Sequence, residues 1–321
     1  MKAVQVHEFG GPEVLVYEDV PRPVPGPGEV LVRVHAAALN PPDWYRRVGY
    51  TNFPEDVRPP APPLPFIPGS DVSGTVVGTG PGVTAFREGD AVFGLVRFPT
   101  IDNAARGYAE YVTSPVEHLA LKPETVDHVH AAGVPMAGLT AYQFLFDHVR
   151  LGWDKTVLVN GAGGGVGHFL VQLAKTRRAH VIGVASGRHE AFLHKLGVDR
   201  FIDYTTTSAG ETVRDVDHVF DTVGGPDGHR FLPVLKRGGT LMPVFYGDYH
   251  QDRADELGFT FLSGQVRSDG AQMAELARLI DDGRVQVGID AVYPLADAPA
   301  AHERAERGHI QGKIVLRVAE D

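Results

Sequence analysis

The 321-residue sequence contains no cysteine. That absence excludes a disulfide framework, a thiolate nucleophile and any zinc site built on sulfur. Positive charge is also in short supply, because 30 Lys and Arg face 40 Asp and Glu, for a formal net charge of -10. A protein that binds nucleic acid by neutralising phosphates needs the opposite balance, so no nucleic-acid partner is expected.

Long apolar runs are missing as well. The longest candidates, such as residues 181–185, have the length of a strand, whereas a helix that spans a bilayer needs about 20 residues. Residues 1–8 read as a mixed strand and not as a basic segment followed by an apolar one. These features predict a cytoplasmic protein with no membrane partner.

Glycine and proline are plentiful, at 38 and 24 residues. In the first part of the chain they separate short β-branched segments, among them 2–6, 15–19 and 30–34. This pattern is typical of an antiparallel, barrel-like unit. Segments 289–293 and 313–318 return to β-branched alternation and are predicted to rejoin that unit.

The pattern changes near residue 122, where strands begin to alternate with helices. Short, fully apolar strands of this kind predict an α/β fold with a parallel sheet covered by helices on both faces. The predicted helices include 127–146 and 228–235, and the predicted strands include 239–245 and 260–266.

A glycine-rich segment joins the strand predicted at 156–160 to the next helix, and it comprises Gly161, Ala162, Gly163, Gly164, Gly165, Val166 and Gly167. A pyrophosphate must approach backbone N–H groups at a helix N-terminus, where any Cβ would block it. The strict G-x-G-x-x-G spacing fails at Val166, but the frame that starts at Ala162 fits with alanine in the first place. The segment therefore predicts a dinucleotide site.

The second strand of the unit indicates which dinucleotide binds. NAD-binding folds place an acid at its end to hold the ribose hydroxyls, yet no acid occurs between Asp154 and Glu190. Ser186 and Arg188 stand there instead and suit a 2′-phosphate, although Arg188 has the alternative reading of a solvated charge. The predicted cofactor is NADPH.

Several motifs together resemble the medium-chain dehydrogenase/reductase superfamily, in its zinc-free quinone oxidoreductase branch. They are spread over the whole chain: Phe9-Gly10-Gly11-Pro12, Asn40-Pro41-Pro42-Asp43, Pro68-Gly69-Ser70-Asp71, Gly138-Leu139-Thr140-Ala141, the 161–167 segment and Gly312-Lys313-Ile314-Val315.

The resemblance implies a GroES-like β-rich catalytic domain over 1–122, completed by 290–321, and a Rossmann domain over 123–289. It also implies a cleft between them and a homodimer formed through the last Rossmann strand. Asn40 stands where the zinc-dependent relatives have a cysteine, and Ser70 and Asp71 stand where they have a His-Glu pair. No metal is therefore expected.

The predicted site residues follow from the resemblance and from strand ends. Asn40 is implied as a neighbour of nicotinamide or substrate, with a turn residue before Pro41 as the alternative. Tyr45 and Tyr50 are candidate hydrogen-bond donors at the cleft, with packing an equal alternative for each. Asp43 is read either as orienting its loop or as a helix cap. The remaining predicted cofactor contacts are Thr140, Tyr204, Thr222, Val223, Phe245, Tyr246, Gly247 and Lys313. Thr140 has the alternative of a threonine buried in a helix, and Lys313 is read as a phosphate ligand or a solvated charge.

Three functions remain open at this point. The leading one is NADPH-dependent hydride transfer to a quinone. The second is reduction of an enone or alkenal with the same machinery, and the third is a non-catalytic NADPH-binding protein.

Overall fold

The computed structural model describes residues 1–100 and 105–319. Its strands are β1 Lys2–Val6, β2 Leu15–Asp19, β3 Glu29–Ala38, β4 Asp71–Thr79, β5 Ala91–Leu95, β6 Tyr111–Pro115, β7 Leu119–Leu121, β8 Thr156–Asn160, β9 His180–Ala185, β10 Arg200–Asp203, β11 Val216–Asp221, β12 Leu235–Pro243, β13 Thr260–Phe261, β14 Ile289–Pro294 and β15 Lys313–Arg317.

The α-helices are α1 Pro41–Arg47, α2 His128–Ala132, α3 Pro135–Tyr142, α4 Gly165–Lys175, α5 Glu190–Lys195, α6 Ala209–Thr212, α7 Ala254–Leu257, α8 Gly270–Asp281 and α9 Ala298–Glu306. Within the described ranges, no helix is long and apolar enough to cross a membrane.

The first sheet has seven strands in the order β14-β15-β3-β4-β5-β7, and β6 also pairs with β3. The long strand β3 is antiparallel to β4, β6 and β15, with Val315 of β15 opposite Ala38. Because β15 lies beside β3, this mostly antiparallel, GroES-like sheet contains segments from both sides of the central part of the chain. Residues 320–321 of the predicted completing segment lie outside the described residues.

The second sheet has six strands in the order β10-β9-β8-β11-β12-β13, all parallel. Numbered from β8, this is the order 3-2-1-4-5-6 of the dinucleotide-binding Rossmann fold. Val157 and Val159 of β8 pack in one core layer, whereas Leu158 packs in the layer on the opposite face. All three are fully buried, which explains the continuous apolar run.

The structure corrects four predicted elements. The helix predicted at 127–146 is two short α-helices followed by a π-helix, because Gly133 and Pro135 interrupt it. The segment predicted as helix at 228–235 is a 3₁₀-helix that contains Pro233. Strand β12 ends at Pro243, before Phe245, and β13 has only two residues.

Candidate active site

A deep cleft of about 1040 Å³ lies between the two sheets. Its walls come from the start of α1, the glycine-rich segment, the carboxyl ends of the parallel strands and the turn before β15. Fourteen predicted residues line it: Asn40, Tyr45, Thr140, Gly161, Gly163, Gly164, Gly165, Val166, Ser186, Tyr204, Thr222, Val223, Phe245 and Lys313. The other predicted residues are not among the lining residues: Tyr50, Ala162, Gly167, Arg188, Tyr246 and Gly247.

The glycine-rich segment forms the turn from β8 into α4. Gly161 has a left-handed φ of 73°, a conformation that favours glycine. A Cβ on Gly167 would lie 2.2 Å from the Gly161 carbonyl oxygen, so the backbone packing of the turn requires glycine at position 167. A Cβ on Gly164 would meet only that same oxygen, at 3.3 Å, and this position is open toward the cleft. The turn thus provides the cradle that a pyrophosphate needs.

His168, which was not predicted as a site residue, holds this turn in place. Its Nδ1 lies 2.9 Å from the Gly164 carbonyl oxygen, and its Nε2 lies 3.3 Å from the Gly288 N–H. The two contacts fit a neutral ring that donates through Nδ1 and accepts through Nε2. Burial lowers the pKa of His168 to about 4, so the ring is neutral at physiological pH.

One end of the cleft lies where β9 and β10 end, and we call it the far end. It carries several polar groups suited to a nucleotide ribose. The Ser186 hydroxyl is buried and has no hydrogen-bond partner among the described residues. The Tyr204 hydroxyl lies 3.5 Å from Nδ1 of His309. Arg307 and His309 also line this end, and the sequence did not predict them because they come from the turn after α9. Arg188 is exposed at the start of α5.

One acid from the neighbouring strand lies beside this end of the cleft, although it is not among the lining residues. Asp203 ends the neighbouring strand β10, and its Oδ2 lies 2.6 Å from the position of a Cβ on Gly187. Its Oδ1 accepts hydrogen bonds from the Thr205 N–H and hydroxyl at 2.9 and 2.7 Å. These hydrogen bonds lower the pKa of Asp203, so it is ionised near the predicted 2′-phosphate position.

The near end of the cleft is built on Asn40, which precedes α1. The Asn40 side-chain oxygen accepts a hydrogen bond from the Lys313 ammonium, and the Asn40 side-chain nitrogen donates to the Ala38 carbonyl at 3.5 Å. Lys313 is buried, and its ammonium also donates to the Leu39 carbonyl at 2.6 Å. The alternative of a solvated charge is therefore wrong for Lys313, whereas its contact with a phosphate stays a prediction.

Two buried carboxyl groups surround this pair. Asp43 accepts from the Asn40 and Gly69 N–H groups at 2.9 and 3.0 Å, so it orients the loop before α1. Asp71 accepts from the Met136 N–H at 3.0 Å. Burial raises the pKa of Asp43 to about 7 and that of Asp71 to about 6, although nearby N–H donors and Lys313 oppose the rise. Burial lowers the pKa of Lys313.

Asp43 is also the first group of a buried chain of polar side chains that sequence reasoning did not predict. The Tyr108 hydroxyl donates to Asp43 at 3.2 Å and lies 3.4 Å from Nε2 of His302. Arg47 lies 3.0 Å from Nδ1 of His302 and pairs with Glu306 of α9. The chain thus ties α1, which carries Tyr45, to α9 behind it.

Aromatic rings form one wall of the cleft near Asn40. Tyr45 and Phe245 both line it, with ring centroids 5.4 Å apart. Phe53 meets each of them at a steep angle, at 5.4 and 6.1 Å. Tyr50 contacts only the outer side of this group, through Phe53 at 6.0 Å. Burial raises the pKa of Tyr45 to about 12, so its hydroxyl keeps its proton at neutral pH.

Two predicted threonines make short hydrogen bonds at the cleft, one within helix α3 and one between strand ends. The Thr140 hydroxyl donates to the Met136 carbonyl at 2.6 Å, which leaves its oxygen as an acceptor toward the cleft. The Thr222 hydroxyl donates to the Asn160 carbonyl at 2.8 Å and so joins the ends of β8 and β11. Asn160 in turn donates to Asp221 at 2.7 Å.

Comparison with known proteins gives consistent results over the whole chain. Residues 26–124 match the alcohol dehydrogenase GroES-like domain, and residues 196–316 match a zinc-binding dehydrogenase domain. The quinone oxidoreductase of Rattus norvegicus is 35% identical over 335 residues, which cover 98% of this chain and 96% of that protein. The chain belongs to the medium-chain dehydrogenase/reductase superfamily, among its quinone oxidoreductase-like members. It is an oxidoreductase of the quinone and enone type.

Two further relatives bear on the acceptor and the cofactor. The 2-methylene-furan-3-one reductase of Solanum lycopersicum is 33% identical over 98% of this chain and 79% of that protein. A mycobacterial protein solved in complex with NADPH has a TM-score of 0.84 and 32% identity, over 99% of this chain and 100% of that chain.

The group at Asn40 does not suit a zinc ion. Zinc sites in proteins use thiolate, imidazole and carboxylate ligands. Here the Asn40 oxygen is bonded to an ammonium, Asp71 is bonded to a backbone N–H, and the buried Ser70 hydroxyl supplies no charge. The Lys313 ammonium already lies among these groups, and within residues 1–100 and 105–319 no imidazole or thiolate joins them.

Proposed function

We propose that this chain is a zinc-independent reductase that transfers a hydride from NADPH to a quinone. The observation that carries this proposal is the wall formed by the rings of Tyr45 and Phe245, with the Phe53 ring packed against both, at the end of the cleft beside Asn40. Flat aromatic acceptors pack well against rings in this arrangement. The quinone oxidoreductases among the relatives support the same acceptor class.

The residues present fit a dinucleotide. The glycine turn at the N-terminus of α4 receives the pyrophosphate. The unpaired Ser186 hydroxyl, together with Arg188, Arg307 and His309, receives a 2′-phosphate. The mycobacterial NADPH complex supports this choice of cofactor. When bound, NADPH supplies the hydride, and uptake of a proton completes the reduction of the acceptor.

The protein's own groups position the reactants. The Lys313 ammonium and the Ala38 carbonyl hold the Asn40 side-chain amide, so its orientation at the cleft floor does not depend on a ligand. The Tyr45 hydroxyl, protonated at neutral pH, donates a hydrogen bond to the acceptor oxygen on which negative charge develops. The Thr140 hydroxyl donates its proton to the Met136 carbonyl, so its oxygen is left to accept a hydrogen bond from a bound molecule.

Reduction of an enone is the second candidate, supported by the tomato reductase among the relatives. The two candidates are separated by the rate of NADPH oxidation with a naphthoquinone and with an alkenone of similar size. The proposal expects kcat/KM for the quinone to be higher by more than about tenfold, a difference of roughly 1.4 kcal/mol in barrier. An equal or higher value for the alkenone would overturn the quinone assignment.

Zinc independence has its own test. The side chains around Asn40 include the Lys313 ammonium and do not form a set of zinc ligands. The proposal expects treatment with a chelator, followed by desalting, to leave kcat with the quinone unchanged. Loss of activity that returns on addition of Zn²⁺ would contradict it.

We also propose that the protein acts in the cytoplasm as a homodimer. The supporting feature is the edge strand β13, which pairs on one side with β12 and leaves its other side available for a second copy. Light scattering coupled to size exclusion would give a mass of twice 34.6 kDa. A single-chain mass at micromolar concentration would contradict the dimer.

A further inference from the structure

Three metal-ligating side chains converge outside the cleft, at the carboxyl edge of the parallel sheet. They are His229, Asp248 and His250, and one ligand atom from each lies within 4.8 Å of the others. His229 belongs to the segment after β11, whereas Asp248 and His250 follow β12. None of the three lines the cleft. The group is therefore separate from Asn40, Ser70 and Asp71.

The backbone holds the three residues close together. The His229 N–H donates to the Asp248 carbonyl at 2.7 Å, and the His250 N–H donates to the Asp248 carboxylate at 3.2 Å. Between them, the Tyr249 ring is buried and its hydroxyl donates to Asp221 at 3.1 Å. Both loops are thus fixed before any ion binds, which lowers the ordering cost of binding.

The two imidazoles are arranged as a pair and not as independent surface residues. Their rings are stacked, with centroids 4.4 Å apart and planes 7° apart. The Nδ1 atom of His229 is buried and has no hydrogen-bond partner among residues 1–100 and 105–319. A buried polar atom without a partner costs free energy, and a bound cation would supply the missing partner.

The donor set selects the class of ion. Two imidazole nitrogens and one carboxylate oxygen suit Zn²⁺ and neighbouring divalent transition metals, whereas Mg²⁺ and Ca²⁺ prefer oxygen ligands. Zinc bonds to these atoms measure about 2.0–2.2 Å, so rotation of exposed side chains must bring the ligand atoms closer together. Three protein ligands leave a fourth position for water.

We propose that His229, Asp248 and His250 form a binding site for a divalent transition metal ion of the zinc type. The ion joins the loop after β11 to the loop after β12, and the second loop carries Phe245 of the aromatic wall. The bound ion stabilises the conformation of the loop after β12. It takes no part in hydride transfer, so this site and the proposed zinc-independent chemistry are tested separately.

The test uses the full chain without a polyhistidine tag, stripped with a chelator and desalted. Calorimetric titration with Zn²⁺ is expected to give one ion per chain. His229→Ala and His250→Ala are each expected to weaken binding by more than about tenfold, because each removes one of three ligands. Co²⁺ is expected to give the visible absorption bands of a tetrahedral complex in the parent and not in the variants.

The matched control is His194→Ala, which removes an exposed histidine that lies 3.8 Å from Glu190, outside the group. This variant is expected to bind Zn²⁺ like the parent. Zn²⁺ is also expected to raise the Tm of the parent and the control but not of His250→Ala. Absence of binding, or equal binding in His250→Ala, would show that the group is only a histidine–aspartate ion pair and overturn the proposal.

Discussion

The Lys313 ammonium donates a hydrogen bond to the side-chain oxygen of Asn40, a residue 273 positions earlier in the chain. This contact unites the last described strand with the start of the first helix at the floor of the cleft. It also places one cation beside two buried carboxyl groups, those of Asp43 and Asp71. The Lys313 ammonium therefore offsets the negative charge of these carboxyl groups.

Replacement of Lys313 tests this effect. Lys313→Met keeps a side chain of similar length but removes the cation beside Asp71 and Asp43. We therefore expect a loss of about 3–5 kcal/mol in the free energy of unfolding. Adding Asp71→Asn to Lys313→Met is expected to restore part of the loss. Urea unfolding of the parent, both single variants and the double variant gives the coupling energy, and strict additivity would contradict this account.

The two glycines at the turn into α4 are predicted to respond differently. Gly164→Ala places its Cβ in the space reserved for the pyrophosphate, so we expect Kd for NADPH to rise more than about tenfold with little change in Tm. Gly167→Ala places its Cβ 2.2 Å from the Gly161 carbonyl oxygen, and we expect a loss of stability of about 1–3 kcal/mol. Unchanged affinity in Gly164→Ala would mean that the segment is only a turn.

The proposed preference for NADPH depends on the charged side chains at the far end of the cleft. We expect Arg188→Ala to raise Kd for NADPH by about tenfold and to leave Kd for NADH within about twofold, because only NADPH carries the 2′-phosphate. Asp203→Asn removes a nearby negative charge and is expected to strengthen NADPH binding. Fluorescence titration with both cofactors measures these effects.

Arg200→Ala is the control for that series, since its guanidinium donates to the Thr212 carbonyl on the outside of the sheet. Equal losses for NADPH and NADH in Arg188→Ala would show that Arg188 does not recognise the 2′-phosphate.

His168 gives the fold a defined sensitivity to acid. Its pKa is about 4 in the folded protein and 6.5 in the unfolded chain, so between these values the unfolded state binds more protons. The free energy of unfolding is therefore expected to fall as pH decreases from about 6.5 to about 4, by up to about 3 kcal/mol from this group. His218 and His302, whose pKa values burial also lowers, act in the same direction.

The His168→Asn variant isolates this contribution. The asparagine retains a donor toward the Gly164 carbonyl but does not titrate, so the urea midpoint is expected to depend less on pH between 6.5 and 4.5 than in the parent. His194→Gln, at an exposed position, should retain the parent slope. An identical slope for His168→Asn would contradict the assignment.

The sequence predicted the elements whose signals are local. The apolar runs of β8 and β9 and the glycine turn between β8 and α4 depend on neighbouring residues, and the structure has them at the expected places. The GroES-like sheet and the Rossmann order were expected from a resemblance carried by short motifs along the whole chain. The 3₁₀-helix at Gly228–Val234 was missed although Pro233 provided a local signal.

Contacts between distant segments could not be predicted in this way. The Lys313–Asn40 hydrogen bond depends on how β15 pairs with β3, and the position of Asp203 beside Gly187 depends on the register of two parallel strands. The aromatic wall combines Tyr45, Phe53 and Phe245 from three segments. Each of these results from tertiary packing that leaves no periodic pattern in the sequence.

The pairing of β15 with β3 also has a consequence for the order of events during synthesis. A ribosome produces the entire Rossmann segment before it produces Lys313, so that segment is able to fold while the first sheet still lacks two strands. The strands and the glycine turn of the dinucleotide half of the cleft are therefore synthesised before the residue that holds Asn40. In the proposed reaction, the acceptor half of the cleft is complete only when β15 has paired with β3 and Lys313 has reached Asn40.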